Sequence, residues 1–339
     1  MPEISVLMSV YNGEEFIEES IKSVLNQTFS DFEFIIIDDC STDNTVEIIQ
    51  SFIDNRIKLY TLDKNVGVGA ALKFGLAKTS GIYIAKADSD DINHPTRFIK
   101  QKNFLDNHLD IDMVKTLIEY FPHDEEVKNT ARYLSMKNIK EEQLNQVKTP
   151  EQISKMLYWW CCIPHNSIMV RSSVIKKIGY GDIRLGEDYK LFYELNKLGH
   201  KIDTIEEKLV KFRVRASSIT ATMAHQKEYI DLIYHMKKNE LDKFLKNSDS
   251  LYIWGTGNLG KLVFEKLKEK GYEVSGFIDG IPEKQGNILY DMRIFSPDIL
   301  KESNKNIKVI VCAQPARLKI ANFLENLKYK DLKDFFVYA

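Results

Sequence analysis

At 339 residues the chain exceeds one ordinary hydrophobic core, so two domains are expected. A hydrophobic share of 44% and a charged share of 28% describe a soluble globular protein, and a formal net charge of −2 gives no ground for nucleic-acid binding. Cys40, Cys161, Cys162 and Cys312 lack metal-ligand spacing, so reduced thiols are expected instead of a zinc site or a disulfide framework. The N-terminus shows no basic region followed by an apolar run, and no stretch approaches the ~20 apolar residues that span a bilayer. A cytoplasmic protein is expected, with peripheral contact at the inner membrane face left open.

The run Ile4–Val10 is a buried-strand pattern that breaks at Tyr11-Asn12-Gly13, a turn sequence. Helical spacing of Phe16, Ile17, Ile21, Val24 and Leu25 predicts a helix over 14–29. A second strand, 32–37, stops at Asp38-Asp39; Ser41, Thr42 and Asp43 offer caps for a helix over 45–52. A strand over 57–62, a loop at Asn65 and Gly67, and a helix over 70–78 follow. Ser80-Gly81 then opens the strand that ends at Asp88-Ser89-Asp90-Asp91. This β-α-β-α-β-α-β order predicts a doubly wound, mostly parallel α/β sheet.

Asp38, Asp39, Asp88, Asp90 and Asp91 all fall at the carboxyl ends of predicted strands, the edge where open α/β sheets bind ligands. Carboxylates packed this closely repel one another and call for a compensating cation. An Asp-x-Asp at a strand end suits a hard divalent ion whose remaining ligands come from a phosphate.

Residues 4 to about 220 resemble the family 2 glycosyltransferases of the GT-A fold. The resemblance rests on Ser9-Val10-Tyr11-Asn12-Gly13-Glu14, Ser23-Val24-Leu25-Asn26-Gln27 and Asp38-Asp39-Cys40-Ser41-Thr42-Asp43. Asn65 and Gly67, Asp88-Ser89-Asp90-Asp91, His94-Pro95 with Arg97, His165-Asn166-Ser167 and Glu187-Asp188 complete it in order. It implies transfer of a sugar from a nucleotide-sugar, usually a UDP-sugar, with inversion at the anomeric carbon.

Roles implied by the resemblance fall on matching positions. Val10, Tyr11, Glu14, Asp39, Asn65, Asp88, Ser89 and Arg215 would bind the nucleotide, with Tyr11 stacked on the base, Asp39 accepting its imide N–H and Asp88 bonding the ribose. Asp90 would ligate Mn²⁺ or Mg²⁺ bridging the diphosphate, and Asp91 would stand behind it. Arg97 would pair with Asp91 or a phosphate, or else only start a helix. Asp188 is expected to take the acceptor hydroxyl's proton, with Glu187 as the alternative base or an acceptor partner. Many members of the family carry a histidine near Arg215; arginine stands here, so Arg213 or Arg215 would meet the diphosphate directly.

Between these motifs, a helix over 98–107 and a strand over 113–121 are expected, then a polar region over 125–152 on the acceptor side. Tyr158-Trp159-Trp160-Cys161-Cys162-Ile163-Pro164 reads as core packing, with sugar stacking by a tryptophan as the lesser reading. Residues 223–249 form an expected helical linker: Tyr229, Ile230, Ile233, Met236, Leu241, Phe244 and Leu245 make an apolar side, and Lys227, Lys237, Lys238, Lys243 and Lys246 a basic face. His225 has no spacing argument.

From Leu251 the pattern restarts. A strand runs into Gly255-Thr256-Gly257-Asn258-Leu259-Gly260, then a helix over 261–270, a strand over 273–278 ending at Asp279, a strand over 309–313 and a helix over 316–327. This module, 250–339, resembles the small Rossmann-like domains attached to bacterial sugar-modifying enzymes. Gly255, Gly257, Gly260 and Asp279 mark a candidate second nucleotide site. At ~90 residues it is about half a dinucleotide-binding unit. A scaffold or homo-oligomer module is therefore weighed against nucleotide binding, and hydride chemistry is not expected.

The expected function is an inverting, metal-dependent hexosyl- or N-acetylhexosaminyltransferase. It would act on a glycan or lipid-linked acceptor in bacterial surface polysaccharide or lipooligosaccharide assembly. The rivals are a nucleotide-sugar-binding scaffold with a degenerate site and an NAD-dependent oxidoreductase using the C-terminal domain.

Overall fold

The computed structural model describes residues 1–215, 223–246, 250–301 and 306–338, the side chains of 223–225 and 315 excepted. They fall into two compact units, Met1–Leu157 with Cys161–Ser218, and Tyr158–Trp160 with Ile219–Ala339. The His225 side chain, Asn247 and the Ala216–Thr220 end of the Arg213 motif lie outside what is described.

In the first unit, β1 (Ile4–Val10), α1 (Ile17–Leu25), β2 (Phe32–Asp38), α2 (Thr45–Gln50), β3 (Ile57–Thr61), α3 (Val68–Lys78) and β4 (Tyr83–Lys86) follow the predicted order. Ile4, Val6, Met8 and Val10 alternate onto one face of β1, where they meet Ile17, Ile21 and Val24 of α1. Each fully buried aliphatic side chain there contributes about 1.5–3 kcal/mol. The helix expected over 14–29 starts only at Ile17, because residues 14–16 are drawn into the turn after β1.

Next come β5 (Ile92–Asn93), α4 (Arg97–Asn107), β6 (Met113–Pro122), α5 (Glu125–Lys128), α6 (Ala131–Ser135), a π-turn over Met136–Lys140, α7 (Glu141–Gln146) and α8 (Pro150–Leu157). β7 (Ile168–Arg171), α9 (Ser172–Ile178), α10 (Glu187–Lys197) and β8 (Ile202–Val214) complete the unit. The sheet order is β3-β2-β1-β4-β7-β6-β8-β5. The four strands at the β3 end run parallel, whereas β7 pairs antiparallel with both β4 and β6. β1 lies between β2 and β4, so the chain reverses its direction of winding there. The carboxyl ends of β1 and β4 therefore stand at a switch point, the place where open α/β sheets take ligands.

The second unit contains α11 (Met223–Leu245), β9 (Ser250–Trp254), α12 (Asn258–Glu269), β10 (Gly276–Ile278), β11 (Ile288–Leu289), β12 (Met292–Phe295), β13 (Ile307–Val311), α13 (Arg317–Asn326) and β14 (Phe335–Val337). Its order, β11-β12-β10-β9-β13-β14, is a small doubly wound Rossmann-like sheet, parallel except for the β11–β12 hairpin. β10 is shorter than the strand expected over 273–278. The short β11, β12 and β14 carried no sequence signal strong enough to be expected.

The helix read as a linker thus packs within this unit, burying Ile230, Ile233, Tyr234, Leu241 and Phe244. Lys237 does not belong to a basic face. It is buried, and its ammonium group donates to the carbonyls of Trp159 (3.0 Å) and Tyr338 (2.8 Å). Among the described residues no helix is long and apolar enough to cross a membrane.

Candidate active site

The turn after β1 is built by side chains from the loop after β2. Asn12, in a left-handed conformation (φ 50°), donates its N–H to Ser41 Oγ at 2.9 Å and accepts from the Thr42 N–H at 2.8 Å. Gly13 N–H donates to Thr45 Oγ1 at 2.8 Å, and Glu14 N–H to Asp43 at 3.2 Å. Ser41 and Thr42 therefore cross-link two loops instead of capping α2, which begins after Asn44 without a side-chain cap. The Glu14 carboxylate returns the contact by accepting from Asn44 N–H and Nδ2. This frame leaves Tyr11 projecting, half-exposed, at the end of β1. Asp39 is buried, and its two oxygens accept the N–H groups of Val66 (2.7 Å) and Gly67 (2.8 Å), which pins the loop holding Asn65.

Beside it, at the end of β4, the carboxylates crowd. Asp88 contacts the buried ammonium of Lys86, which holds its carboxyl below the usual range against the opposing pull of burial. Asp90 has Arg215 at 3.2 Å, yet burial and the neighbouring Asp88 charge still push its carboxyl up. Asp91 is buried behind them and accepts from the Arg213 N–H at 2.7 Å and from Asn166; burial and the Asp90 and Asp88 charges raise it well above its ordinary value. Ser89 Oγ packs 3.7 Å from where a side chain at Gly13 would begin, so the β1 and β4 loops meet. Among the described residues no group of three or more His, Cys, Asp or Glu is placed to hold a metal ion by itself.

A third loop brings Glu187 and Asp188. Gly186, at φ 83°, makes the turn into α10. Gly69 allows α3 to abut this loop, for a side chain there would lie 2.3 Å from the Ile183 carbonyl oxygen and 3.2 Å from Glu187 Cβ. Burial and the adjacent Asp188 charge push Glu187 up to about 8. Burial likewise raises Asp188, which accepts from the Tyr189 N–H at 2.6 Å and faces the Cys161 thiol at 3.8 Å. His165 sits 3.8 Å from Glu187 and 2.9 Å from Tyr180 Oη; burial, helped by the Lys86 charge, pushes it down to about 3, so its imidazole is neutral. Asp88 influences His165, Glu187 and Asp188 electrostatically, so the four titratable groups sense one another.

The arginines divide. Arg97 is fully buried and spends its guanidinium on Gln101, Asn93 and the carbonyls of Lys86 and Ile168, the latter two at 2.9 Å. With its donors taken there, it forms no ion pair with Asp91 and holds the strand and helix together. Arg213 is likewise spent, its guanidinium 4.6 Å from both the Phe16 and Phe121 rings, bonded to the Asp90 carbonyl and paired with Glu19. Arg215 alone of the three stands half-exposed beside the carboxylates.

Lys86, Cys161 and Tyr180 were not anticipated. Lys86 did leave a trace, as a lone charge inside an otherwise apolar strand.

In the second unit the glycine loop follows β9 as expected. Gly260 has no room for a side chain, whose first carbon would lie 1.9 Å from the Gly255 carbonyl oxygen, whereas Gly257 faces open space. Asp279 is buried and already bonded: it accepts from the Ile281 N–H at 3.0 Å and from Thr256 N–H and Oγ1, with Lys284 at 3.3 Å.

Residues 5–178 match the family model described as "Glycosyl transferase family 2". The chain is 29% identical to an uncharacterized glycosyltransferase of Haemophilus influenzae over 325 residues, covering 91% of this chain and 97% of that protein. It is 31% identical to the O-antigen biosynthesis glycosyltransferase WbnJ of Escherichia coli, covering 71% of this chain and 92% of that one. Among solved structures, TarS of S. aureus (residues 1–349, complex with UDP-GlcNAc) superposes with a TM-score of 0.57 at 19% identity, covering 71% of this chain and 67% of that one. At that identity the likeness concerns the fold.

Proposed function

The chain belongs to glycosyl transferase family 2 and is a glycosyltransferase, and from that premise we propose an inverting, metal-assisted transfer from a UDP-sugar to an acceptor hydroxyl. The observation that supports the reading is that the Asp88 charge acts on both Glu187 and Asp188, which links two groups of acids. Asp88 and Asp90 come from the end of β4, and Glu187 and Asp188 from the start of α10.

Tyr11 stacks on the base from the end of β1. Asp39, each of whose oxygens keeps a lone pair beyond its backbone bond, accepts the imide N–H; Val10, Glu14 and Asn65 frame the nucleotide. Asp88 and Ser89 meet the ribose. The donor set fits a Mn²⁺ or Mg²⁺ ion: Asp90 carries charge that its surroundings leave under-compensated, and hard cations take one or two carboxylates with phosphate oxygens supplying the rest. Such an ion would offset the charge gathering on the departing diphosphate. Arg215 supplies a further positive charge beside it.

Asp188 takes the acceptor's proton as its oxygen attacks opposite the leaving group. A raised carboxyl is a stronger base than an ordinary aspartate and loses less on entering a closed site. Glu187, held protonated near neutrality, keeps a second negative charge away from Asp188 and donates a hydrogen bond to the acceptor. The relationship to an O-antigen enzyme supports a glycan or lipid-linked acceptor in surface polysaccharide assembly. For the second unit we favour a scaffold role, since the acid that would greet a ribose is consumed by Thr256, Ile281 and Lys284.

Calorimetric titration of UDP, GDP and NAD⁺, with and without Mn²⁺, tests the reading on wild type and Asp90→Ala. The expected result is Mn²⁺-dependent UDP binding that the variant loses. Metal-independent NAD⁺ binding with no response to UDP would overturn it.

A further inference from the structure

Within the first unit, the loop that leads to Glu187 and Asp188 lies against the loop that Asp39 holds. Asp39 accepts the N–H groups of Val66 and Gly67. The adjacent Asn65 carbonyl accepts from the Arg184 guanidinium at 3.3 Å, and the Gly69 N–H donates to the Ile183 carbonyl at 3.2 Å. Lys73 and Asp182 pair at 2.9 Å across the same seam, but both are exposed, so that contact adds little by itself.

Two glycines let the seam close. Gly67 sits at φ 89°, and a side chain there would begin 2.8 Å from Arg184 Cγ, so the arginine stem lies directly on the residue whose N–H Asp39 binds. At Gly69 a side chain would meet the Ile183 and Gly181 carbonyl oxygens at 2.3 and 2.6 Å. Leu185 and Gly186 alone separate Arg184 from Glu187. At most about 10–11 Å of extended chain therefore lies between the seam and the first acceptor acid, and a shift at Arg184 has little slack in which to be absorbed.

We propose that Arg184 is a positioning residue: it ties Glu187 and Asp188 to the nucleotide loop, so that a base engaging Asp39 also settles the turn from which those two acids project. The inference rests on Asp39 as the acid that meets the nucleotide base and on Asp188 as the group that takes the acceptor's proton.

The test is hydrogen exchange, read peptide by peptide on the full chain, for wild type, Arg184→Ala and Arg184→Lys. The probes are saturating UDP with Mn²⁺ and inorganic diphosphate with Mn²⁺, and calorimetry gives UDP affinity alongside. In the wild type UDP is expected to slow exchange over 65–69 and over 181–189, the latter by about fivefold or more, the scale of an ordinary coupling between sites. Diphosphate, which carries no base, is expected to leave 181–189 unprotected. Arg184→Ala is expected to keep UDP affinity and the protection over 65–69 while losing that over 181–189. Arg184→Lys recovers part of it, since its stem still covers Gly67 and its ammonium still has a proton for the Asn65 carbonyl. Protection over 181–189 that persists in Arg184→Ala, that diphosphate alone produces, or that is missing from the wild type while 65–69 is protected would overturn the proposal. So would a large loss of UDP affinity in Arg184→Ala, which would make Arg184 a nucleotide contact. If UDP protects neither segment of the wild type, the uridine reading itself falls, and the inference with it.

Discussion

Two acids at strand ends, one in each unit, have opposite surroundings. Asp90 and Asp279 both follow a strand next to the one where the strand order reverses, Asp90 after β4 and Asp279 after β10, yet burial and Asp88 push Asp90 up, whereas Asp279 is drawn down. Burial alone would raise Asp279 as well; bonds from Thr256, Ile281 and Lys284 outweigh it. An acid whose hydrogen bonds are complete is part of a turn. An acid left with excess charge after folding is arranged for something that arrives later. Glu187 and Asp188 fall on the Asp90 side of this division and Asp43 on the Asp279 side.

Replacing a charge on each side tests the division. Asp188→Asn is expected to lower kcat by about 10²–10⁴-fold, the range for a lost general base, while UDP affinity in calorimetry stays at the wild-type value. Loss of UDP binding together with activity would move Asp188 into the nucleotide site. Asp279→Asn is expected to do the reverse, destabilising the second unit by about 1–3 kcal/mol by leaving Lys284 and the Thr256 loop badly paired, with no change in UDP affinity. Thermal unfolding reads the first effect. An unchanged melt with loss of binding for any nucleotide would turn the glycine loop back into a binding site.

The sequence made the parallel strands legible because Ile4–Val10 and Phe32–Ile37 are buried on both faces and carry nearly unbroken apolar runs. It also made the acids legible, since strand ends can be counted from those runs. It hid how each acid is held. Asp39 and Asp90 look alike in the chain, but the partners of Asp39 are two backbone N–H groups at 66 and 67, and no residue type announces those. Arg97 and Arg213 were misleading for a related reason. A guanidinium beside an acidic motif reads as a phosphate contact, and only packing shows that backbone carbonyls and aromatic rings have claimed it. The tryptophan pair was readable as core, but not as the core of the other unit: hydrophobicity predicts burial and is silent on the partner.

The smallest expected effect is on stability against pH, and its sign separates the two kinds of acid. Glu187 rises from 4.5 to about 8 on folding, so between those values the folded protein holds a proton that the unfolded chain releases. Stability from this group is therefore present at low pH and lost as pH climbs through the window, and the raised Asp188 works in the same direction. Glu33 has the opposite sign. Burial opposes its charge, but bonds from Lys58, Ser5 and Ser80 prevail and hold it near about 2, so its contribution disappears only as pH falls below about 4.5. Below about pH 6.5 the depressed His165 works against Glu187, so the melting temperature of the first unit is expected to decline by a few degrees only from about pH 6.5 to about pH 8, and Glu187→Gln, which cannot ionise, to flatten that decline without altering the acid limb. A variant that melts with the wild-type slope across the neutral range would show that Glu187 is already ionised there, and Asp188 would then work beside a second negative charge instead of a hydrogen-bond donor.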